Sequence, residues 1–294
     1  MQISRLAPAP VRRRVFGVLP LGARRALLYQ RAYGRFPDRR SPGTYSEKLD
    51  WRMLHDRRPQ LVTACDKLAA KEVALQHGVP AARTLWSGTD LAELARADLG
   101  DRWVLKPNHR SGGLVHFGAG VADPTVLAPV VRAWGGSAEE RRRGEWAYGG
   151  ARRLLVAEER LVAAGGDLPD WKVHVFRGEL ALVQAHAGRF GEHRVRYFRP
   201  DWTSVDANRR LAGAAGDIAP PHHPEELLAI ASRLGEGWDY VRVDLYDLPD
   251  GVRFGELTVY PGSGYTDFRE DRWLDEELGA RWTLPSREEV RART

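Results

Sequence analysis

The chain has 294 residues, 43% hydrophobic and 9% aromatic with 30 glycines, a composition that excludes a disordered polymer and fits one large domain or two ordinary ones. No run approaches the roughly 18 consecutive apolar residues that a membrane-spanning helix needs, and the single cysteine, Cys65, precludes an internal disulfide, while neither it nor the nine histidines supply a zinc-ligand spacing. The net charge is +6, yet of the 45 basic residues only five are lysine, namely Lys48, Lys67, Lys71, Lys106 and Lys172. Where arginine does general surface duty, a retained lysine is weighted toward places that need a compact point charge, such as a phosphate.

Residues 1–35 form a basic arm, and Arg13-Arg14-Val15-Phe16 superficially resembles a twin-arginine export signal. The apolar stretch that follows, Val15 to Ala23, contains Pro20, is closed by Arg24-Arg25 and lacks a cleavage site, so cytoplasmic residence is expected. Ser41 to Lys48 reads as a helix start, with Ser46 or Thr44 as cap and the helix running to His55. A second helix is expected after Pro59, where Leu61, Ala64, Cys65, Leu68, Ala69, Val73 and Leu75 recur at helical intervals until Gly78 and Pro80 stop it. A further helix is expected over Asp90 to Ala97. From Arg102 the texture changes to short β-prone runs, Trp103 to Pro107, Leu114 to Phe117 and Leu154 to Glu158, which read as a small α+β lobe. Beyond Gly165-Gly166 come strands over Trp171 to Phe176 and Glu179 to Ala187, a helix over Pro224 to Leu234, and paired strands over Tyr240 to Tyr246 and Val252 to Val259. The glycine-rich stretch near 159–166 is a hinge candidate.

The last strand pair carries the most chemistry. Pro249-Asp250-Gly251 is a turn signal between two alternating runs; a turn centred on Asp250 sets position 244 opposite 256 and 242 opposite 258. Arg242, Asp244, Glu256 and Thr258 then share one face. Like charges directly opposed on neighbouring strands destabilise a sheet unless something neutralises them, and Mg²⁺, which takes hard oxygen ligands, would do so. A structural network in which Arg242 pairs with both acids answers the same geometry. A second candidate is Val104-Leu-Lys106-Pro-Asn-His109-Arg-Ser111-Gly112-Gly113, a strand ending in a lysine and entering a glycine-rich loop whose N–H groups can approach phosphate oxygens; a lysine before an ordinary turn would look the same. A third is Leu155-Val-Ala-Glu158-Glu159-Arg-Leu161, an apolar strand ending in two acids, followed by Asp167, Asp170 and Lys172. Pro261-Gly262-Ser263-Gly264 lacks the nucleophile elbow of a serine hydrolase.

In this order the motifs resemble the TupA-like ATP-grasp family over roughly residues 40 to 270. The resemblance is carried by Ser41 to Trp51, Asp56 to Pro59, Asp66-Lys67, Val104 to Gly113, Val156 to Glu159, Leu168 to Lys172, Val241 to Asp244 and Gly255 to Gly264. It implies an α+β ATP-grasp fold: two lobes sandwiching ATP, preceded by a helical N-terminal region. The implied divisions are a basic helical region (1–60), an N-terminal α/β portion (61–102), a small central lobe (103–160) and a C-terminal catalytic lobe (161–294). By the same resemblance Lys106 and Lys172 contact the phosphates, and the loop with His109, Ser111, Gly112 and Gly113 covers them. Glu158, the Glu159 backbone and Leu161 hold adenine, and Asp167 reaches the ribose. Asp244 and Glu256 bind Mg²⁺, with Thr258 standing where an asparagine commonly completes a second metal site. Arg242 faces the reacting group, and the backbone of Gly262, Ser263 and Gly264 supports an oxyanion.

The implied chemistry is ligation of a carboxylate to an amine through an acylphosphate, with an amino acid, peptide or sugar acid as substrate and cell-surface polymer or natural-product synthesis as setting. A kinase that phosphorylates a hydroxyl and a non-catalytic ATP-binding module are the alternatives. Nucleic acid is not expected as a partner, because the arginines are dispersed and most tryptophans fit a core or interface. The basic arm offers a contact for anionic lipid or a partner protein, and no motif sets an oligomeric state.

Overall fold

Two antiparallel sheets carry the chain's chemistry and face each other across a cleft. The computed structural model describes residues 18–112, 114–135, 138–163, 168–188, 192–207, 218–265, 268–286 and 288–290; Gly113, Asp167 and the first 17 residues of the basic arm lie outside them. Strands β1 (Thr84–Gly88), β2 (Arg102–Pro107), β3 (His116–Ala119) and β4 (Leu155–Glu159) form a four-stranded sheet in the order β1-β4-β2-β3. Strands β5 (Asp170–Phe176), β6 (Glu179–Ala187), β7 (Arg194–Phe198), β8 (Ser204–Val205), β9 (Val241–Leu248) and β10 (Gly251–Thr258) form a six-stranded one in the order β10-β9-β5-β6-β7-β8. Helices α1 (Leu21–Tyr33), α2 (Tyr45–His55), α3 (Gln60–Cys65) and α4 (Lys67–Gln76) precede the first sheet; α5 (Leu91–Leu94), α6 (Pro124–Trp134) and α7 (Ala138–Arg143) lie within its connections; α8 (Pro224–Gly235) and α9 (Arg272–Arg281) accompany the second. No helix among the described residues is long and apolar enough to cross a membrane.

Strand alternation gives the six-stranded sheet two unlike faces. Trp171, Val173 and Val175 of β5, with Val241, Val243 and Leu245 of β9, are buried in one apolar core with Leu227, Ile230, Ala231 and Leu234 of α8. The intervening residues, Asp170, Lys172 and His174 on β5 and Arg242, Asp244 and Tyr246 on β9, present polar groups on the opposite face.

The hairpin brings Asp244 opposite Glu256 and Arg242 opposite Thr258, the expected pairs. It reaches them by a different route. Gly251 pairs with Leu248, so the turn is the two residues Pro249-Asp250, one position earlier than expected, and a bulge at Gly255 between Phe254 and Glu256 restores the register. Only glycine fits there, since a Cβ would stand 2.9 Å from the Asp244 carbonyl oxygen.

Helix α2 begins as expected. The Thr44 hydroxyl accepts from Glu47 N and the Glu47 carboxylate accepts from Thr44 N, a complete capping box. The single helix expected after Pro59 is instead two, because Asp66 is extended (φ −95°, ψ 106°) and caps α4 by accepting from Ala69 N at 2.9 Å. Its carboxylate is also bridged by Arg152 at 2.8 Å through both Nε and Nη2. The apolar period runs across the break, and the capping preference of aspartate wins locally. The helix expected over 90–97 is a single turn, α5, capped by Asp90. Strand β3 starts at His116, not Leu114; Leu114 and Val115 line the cleft.

Helix α1 braces the turn at Pro261–Gly264. Arg25, fully buried, donates to Asp50 at 2.7 Å and to the Ser263 carbonyl at 3.3 Å, and stacks 4.6 Å over the Tyr265 ring. Ser263, with φ +55°, donates its hydroxyl to buried Glu145 at 2.7 Å. Burial pushes the Glu145 carboxyl up to about 7, against the Ser263 hydrogen bond and the Arg143 charge. A carboxyl raised in the folded state adds stability at low pH, fully present below about pH 4, and loses it as pH rises through about 7. Denaturant titrations of the wild-type protein and Glu145→Gln should therefore differ in their pH dependence, the wild type losing stability relative to the variant between about pH 4 and about 7. Gly255→Ala should cost about 1–3 kcal/mol in the same measurement, since the backbone must shift to admit the methyl group.

Candidate active site

The cleft between the sheets has a volume of about 690 Å³. The four-stranded sheet lines it with Val104, Lys106, Phe117, Glu158 and Glu159, and the six-stranded sheet with Asp170, Asp244, Tyr246, Gly255 and Glu256. Lys67 and Lys71 reach it from α4; Arg110, Ser111, Gly112, Arg160, Leu161, Val162 and Leu168 line its rim, as do Gly188, Glu192 and Arg194 from the β6–β7 side.

At the six-stranded wall, Asp244 is almost fully buried and held on both oxygens. Arg242 donates from Nε and Nη2 at 2.7 Å each, and Lys172 Nζ stands 2.7 Å from the same carboxylate and 2.5 Å from Asp170. Burial pushes the Asp244 carboxyl above its ordinary value, and the Arg242 and Lys172 charges offset part of that. Glu256 keeps 40% of its side chain exposed and pairs with Lys67 at 3.0 Å. Desolvation opposes its ionisation, but the charges of Lys67, Lys172 and Arg242 outweigh this and hold it well below the usual carboxylate range. Thr258 bridges the acids' partners, receiving from Arg242 at 3.2 Å and donating to Glu256 at 3.3 Å. The acids are opposed as expected, and Arg242 is bonded to Asp244.

Those two carboxylates and the Thr258 hydroxyl are oxygen donors that could hold a metal, with the Asp170 carboxylate beside them on Lys172. Among the described residues no group of three or more His, Cys, Asp and Glu side chains gathers as a metal site. Mg²⁺ commonly takes only one or two protein carboxylates and completes its shell with water and phosphate oxygens, so the donor set fits that ion.

On the other wall, Glu158 is buried between Lys106, at 2.5 Å, and Lys71, and the two ammonium groups overcome the cost of burial to keep its carboxyl low. Lys71 also donates to the Ala82 carbonyl at 2.8 Å and the Thr84 hydroxyl at 2.9 Å. The Glu159 N–H is taken by the Arg83 carbonyl at 3.0 Å. Ala82, Val104, Leu114, Val115, Phe117 and Leu161 give this end an apolar lining, with the Arg160 guanidinium 4.5 Å over the Phe117 ring.

The structure therefore brings Lys106, Ser111, Gly112, Glu158, Glu159, Leu161, Asp244 and Glu256 to one cleft, with Lys172, Arg242 and Thr258 bonded to its acids. His109 and the turn Gly262-Ser263-Gly264 are not on its wall. His109 follows β2 with its titration lowered by burial and by Arg110 and Arg153. Lys67, Lys71, Arg110, Arg160 and Arg194 are cleft cations missing from the expected set; Lys67 lay in a motif of the resemblance without being given a role, and Lys71 was marked only by the scarcity of lysine.

No protein of curated function matches the chain. Among solved structures it is similar to D-alanine–D-alanine ligase from Helicobacter pylori, at 14% identity over 76% of this chain and 61% of that one, with a TM-score of 0.44. It is similar also to L-amino acid ligase from Bacillus licheniformis, at 18% over 76% and 51% with a TM-score of 0.44. A third is D-alanine–D-alanine ligase from Bacillus anthracis complexed with ATP, at 15% over 74% and 66% with a TM-score of 0.40. The chain spans between 51% and 66% of the length of these ligases. The sequence model of the TupA-like ATP-grasp family matches residues 47–283. That match starts within α2 and ends just past α9, taking in both sheets and every residue of the cleft wall, and the chain belongs to the TupA-like ATP-grasp family.

Proposed function

We propose that this protein is an ATP- and Mg²⁺-dependent carboxylate–amine ligase that works through an acylphosphate and joins an amino acid in the synthesis of a cell-surface polymer or natural product. The observation that carries the reading is the charge arrangement of the cleft: lysines on both walls, with two opposed carboxylates between them.

In this reading the segments 103–160 and 161–294 act as the two lobes, following the N-terminal segments 1–60 and 61–102. Adenine lies against the apolar end with Glu158, the Glu159 backbone and Leu161, with Asp167 at the ribose. Lys106, Lys172 and the loop with His109, Ser111, Gly112 and Gly113 take the phosphates, and Lys106 leaves Glu158 to do so. Asp244 and Glu256, with Thr258 beside them, would hold Mg²⁺, which supplies neutralisation of phosphate charge. A substrate carboxylate oxygen bonds to the γ-phosphorus as the bond to the β–γ bridging oxygen breaks and ADP leaves with the electron pair. An amine nitrogen then bonds to the acyl carbon, the carbon–oxygen bond to phosphate breaks, and phosphate departs with the pair and the amine's proton. The protein contributes positioning and charge stabilisation rather than a covalent intermediate of its own. Arg242, fixed by Asp244 and Thr258, offers a planar cation to the transferring group; the oxyanion role implied for Gly262, Ser263 and Gly264 is not carried over, because that turn lies off the cleft wall and the Ser263 N–H donates to the Tyr260 carbonyl.

Incubation with ATP, Mg²⁺ and pooled carboxylic acids, with hydroxylamine as trap, should yield ADP and a hydroxamate. Asp244→Asn and Glu256→Gln should each lower that yield by about 100-fold or more. A phosphorylated product without hydroxamate would replace the ligase by a kinase, and AMP release would overturn the mechanism. Lys106→Met should weaken binding of a fluorescent ATP analogue by about tenfold, the loss of one charge-assisted contact, while the melting temperature stays within a few degrees.

A further inference from the structure

The polar face of the six-stranded sheet does not end at Lys172. Register sets Glu256, Asp244, Lys172 and Gln184 in one row across β10, β9, β5 and β6. Gln184 therefore stands on the far side of Lys172 from the two opposed acids. It is 2% exposed, its Oε1 lies 3.2 Å from His186 Nε2, and its Nε2 has no hydrogen-bond partner among the described residues. His186 Nδ1 is in turn 3.1 Å from His193 Nε2. With His193 donating to His186 and His186 donating to the amide oxygen, the three form a relay that polarises the Gln184 amide and leaves its N–H groups as the open end. Two residues along β5 on the same face, His174 is fully buried with its Nδ1 3.0 Å from the Tyr240 hydroxyl and its Nε2 unpartnered among the described residues.

A buried amide nitrogen without an acceptor is costly, and native structures rarely keep one unless a ligand or water completes it. Here such a nitrogen stands beside Lys172, one of the lysines assigned to the phosphates, and the unpartnered imidazole Nε2 of His174 lies two residues along the same strand. In-line phosphoryl transfer sets the attacking and leaving oxygens on opposite sides of phosphorus. The cleft reaches the β6–β7 side of Lys172 through Gly188, Glu192 and Arg194, so with ADP beside the two opposed acids the attacking acid belongs on the side of Gln184. A neutral amide also orients a carboxylate without neutralising the charge that makes it a nucleophile, as a guanidinium would.

We infer that Gln184 is a substrate-binding residue whose amide N–H donates to the carboxylate of the acid that attacks ATP, with His186 and His193 as residues that position the amide. This rests on the ligase reading and names the acid's subsite within it. The test uses the full-length protein, the hydroxamate assay with the acid found active in the pool, and the variants Gln184→Met and His186→Ala. Gln184→Met should raise the KM for the acid by about tenfold, with kcat within about threefold and the KM for ATP unchanged. His186→Ala, at a partly exposed position, should move the acid's KM in the same direction by about threefold, and it carries the test if Gln184→Met does not fold. An unchanged KM for the acid, or a KM for ATP that rises in step with it, would overturn the assignment. No hydroxamate from the wild-type protein with any acid would take down the ligase reading, and the subsite with it.

Discussion

Two carboxylates set opposite each other on neighbouring strands repel, and much of the cleft is organised around that repulsion. Asp244 and Glu256 are brought face to face by a hairpin with a glycine bulge, and the cations nearest them come from three other directions. Lys172 comes from the adjoining strand, Arg242 from two residues along the same strand, and Lys67 from the first turn of a helix across the cleft. Such a site is held together by charge in the absence of nucleotide, and each cation that a phosphate would draw away leaves an acid open to a metal. On the proposed reading, phosphate and metal would favour each other's binding, because the same ion pairs stand in the way of both.

The two walls are not independent. Asn108, fully buried at the end of β2, accepts from Lys67 N through its carbonyl at 3.3 Å and from Leu68 N through its side chain at 2.9 Å, and its amide donates to the Arg152 carbonyl at 3.0 Å. The break between α3 and α4, the strand that carries Lys106 and the approach to β4 are thereby tied at one point. Lys67, which reaches Glu256, and Lys106, which reaches Glu158, sit on either side of that tie. The Asp66–Arg152 bridge secures it further.

The hairpin could be read from sequence because its turn residues and alternation agree, and two departures cancelled: the turn came one residue early and the bulge gave the residue back. The bulge itself had no signal beyond an isolated glycine in a strand. The break at Asp66 was hidden by an apolar period that continues through it, and the capping that decides it depends on Arg152, 86 residues away. Helix α1 falls in the region expected to be helical, but its bounds were not legible because its strongest interactions, from Arg25 to Asp50 and Ser263, are tertiary and leave no local pattern. Lys106, Glu158 and Glu159 were found by position at strand ends, and Asp244 and Glu256 by register across the turn. Lys67 stood in a motif of the resemblance but was given no role, and Lys71 and Gln184 were not found, because nothing in their immediate sequence tells a cleft side chain from a solvent-facing or buried one.

The rarity of lysine has a practical side. Three of the five ammonium groups line the cleft, a fourth is bonded to two of its acids, and the fifth, Lys48, is held by the carbonyls of Gly279 and Trp282. The outer surface is buffered by guanidinium groups, which common amine-directed reagents leave alone. Acylating tags, reductive methylation and amine-coupled supports would thus act at the cleft or at the chain's amino terminus. Nucleotide bound there would serve as its own protecting group, so the pattern of modification would report occupancy without a dedicated probe.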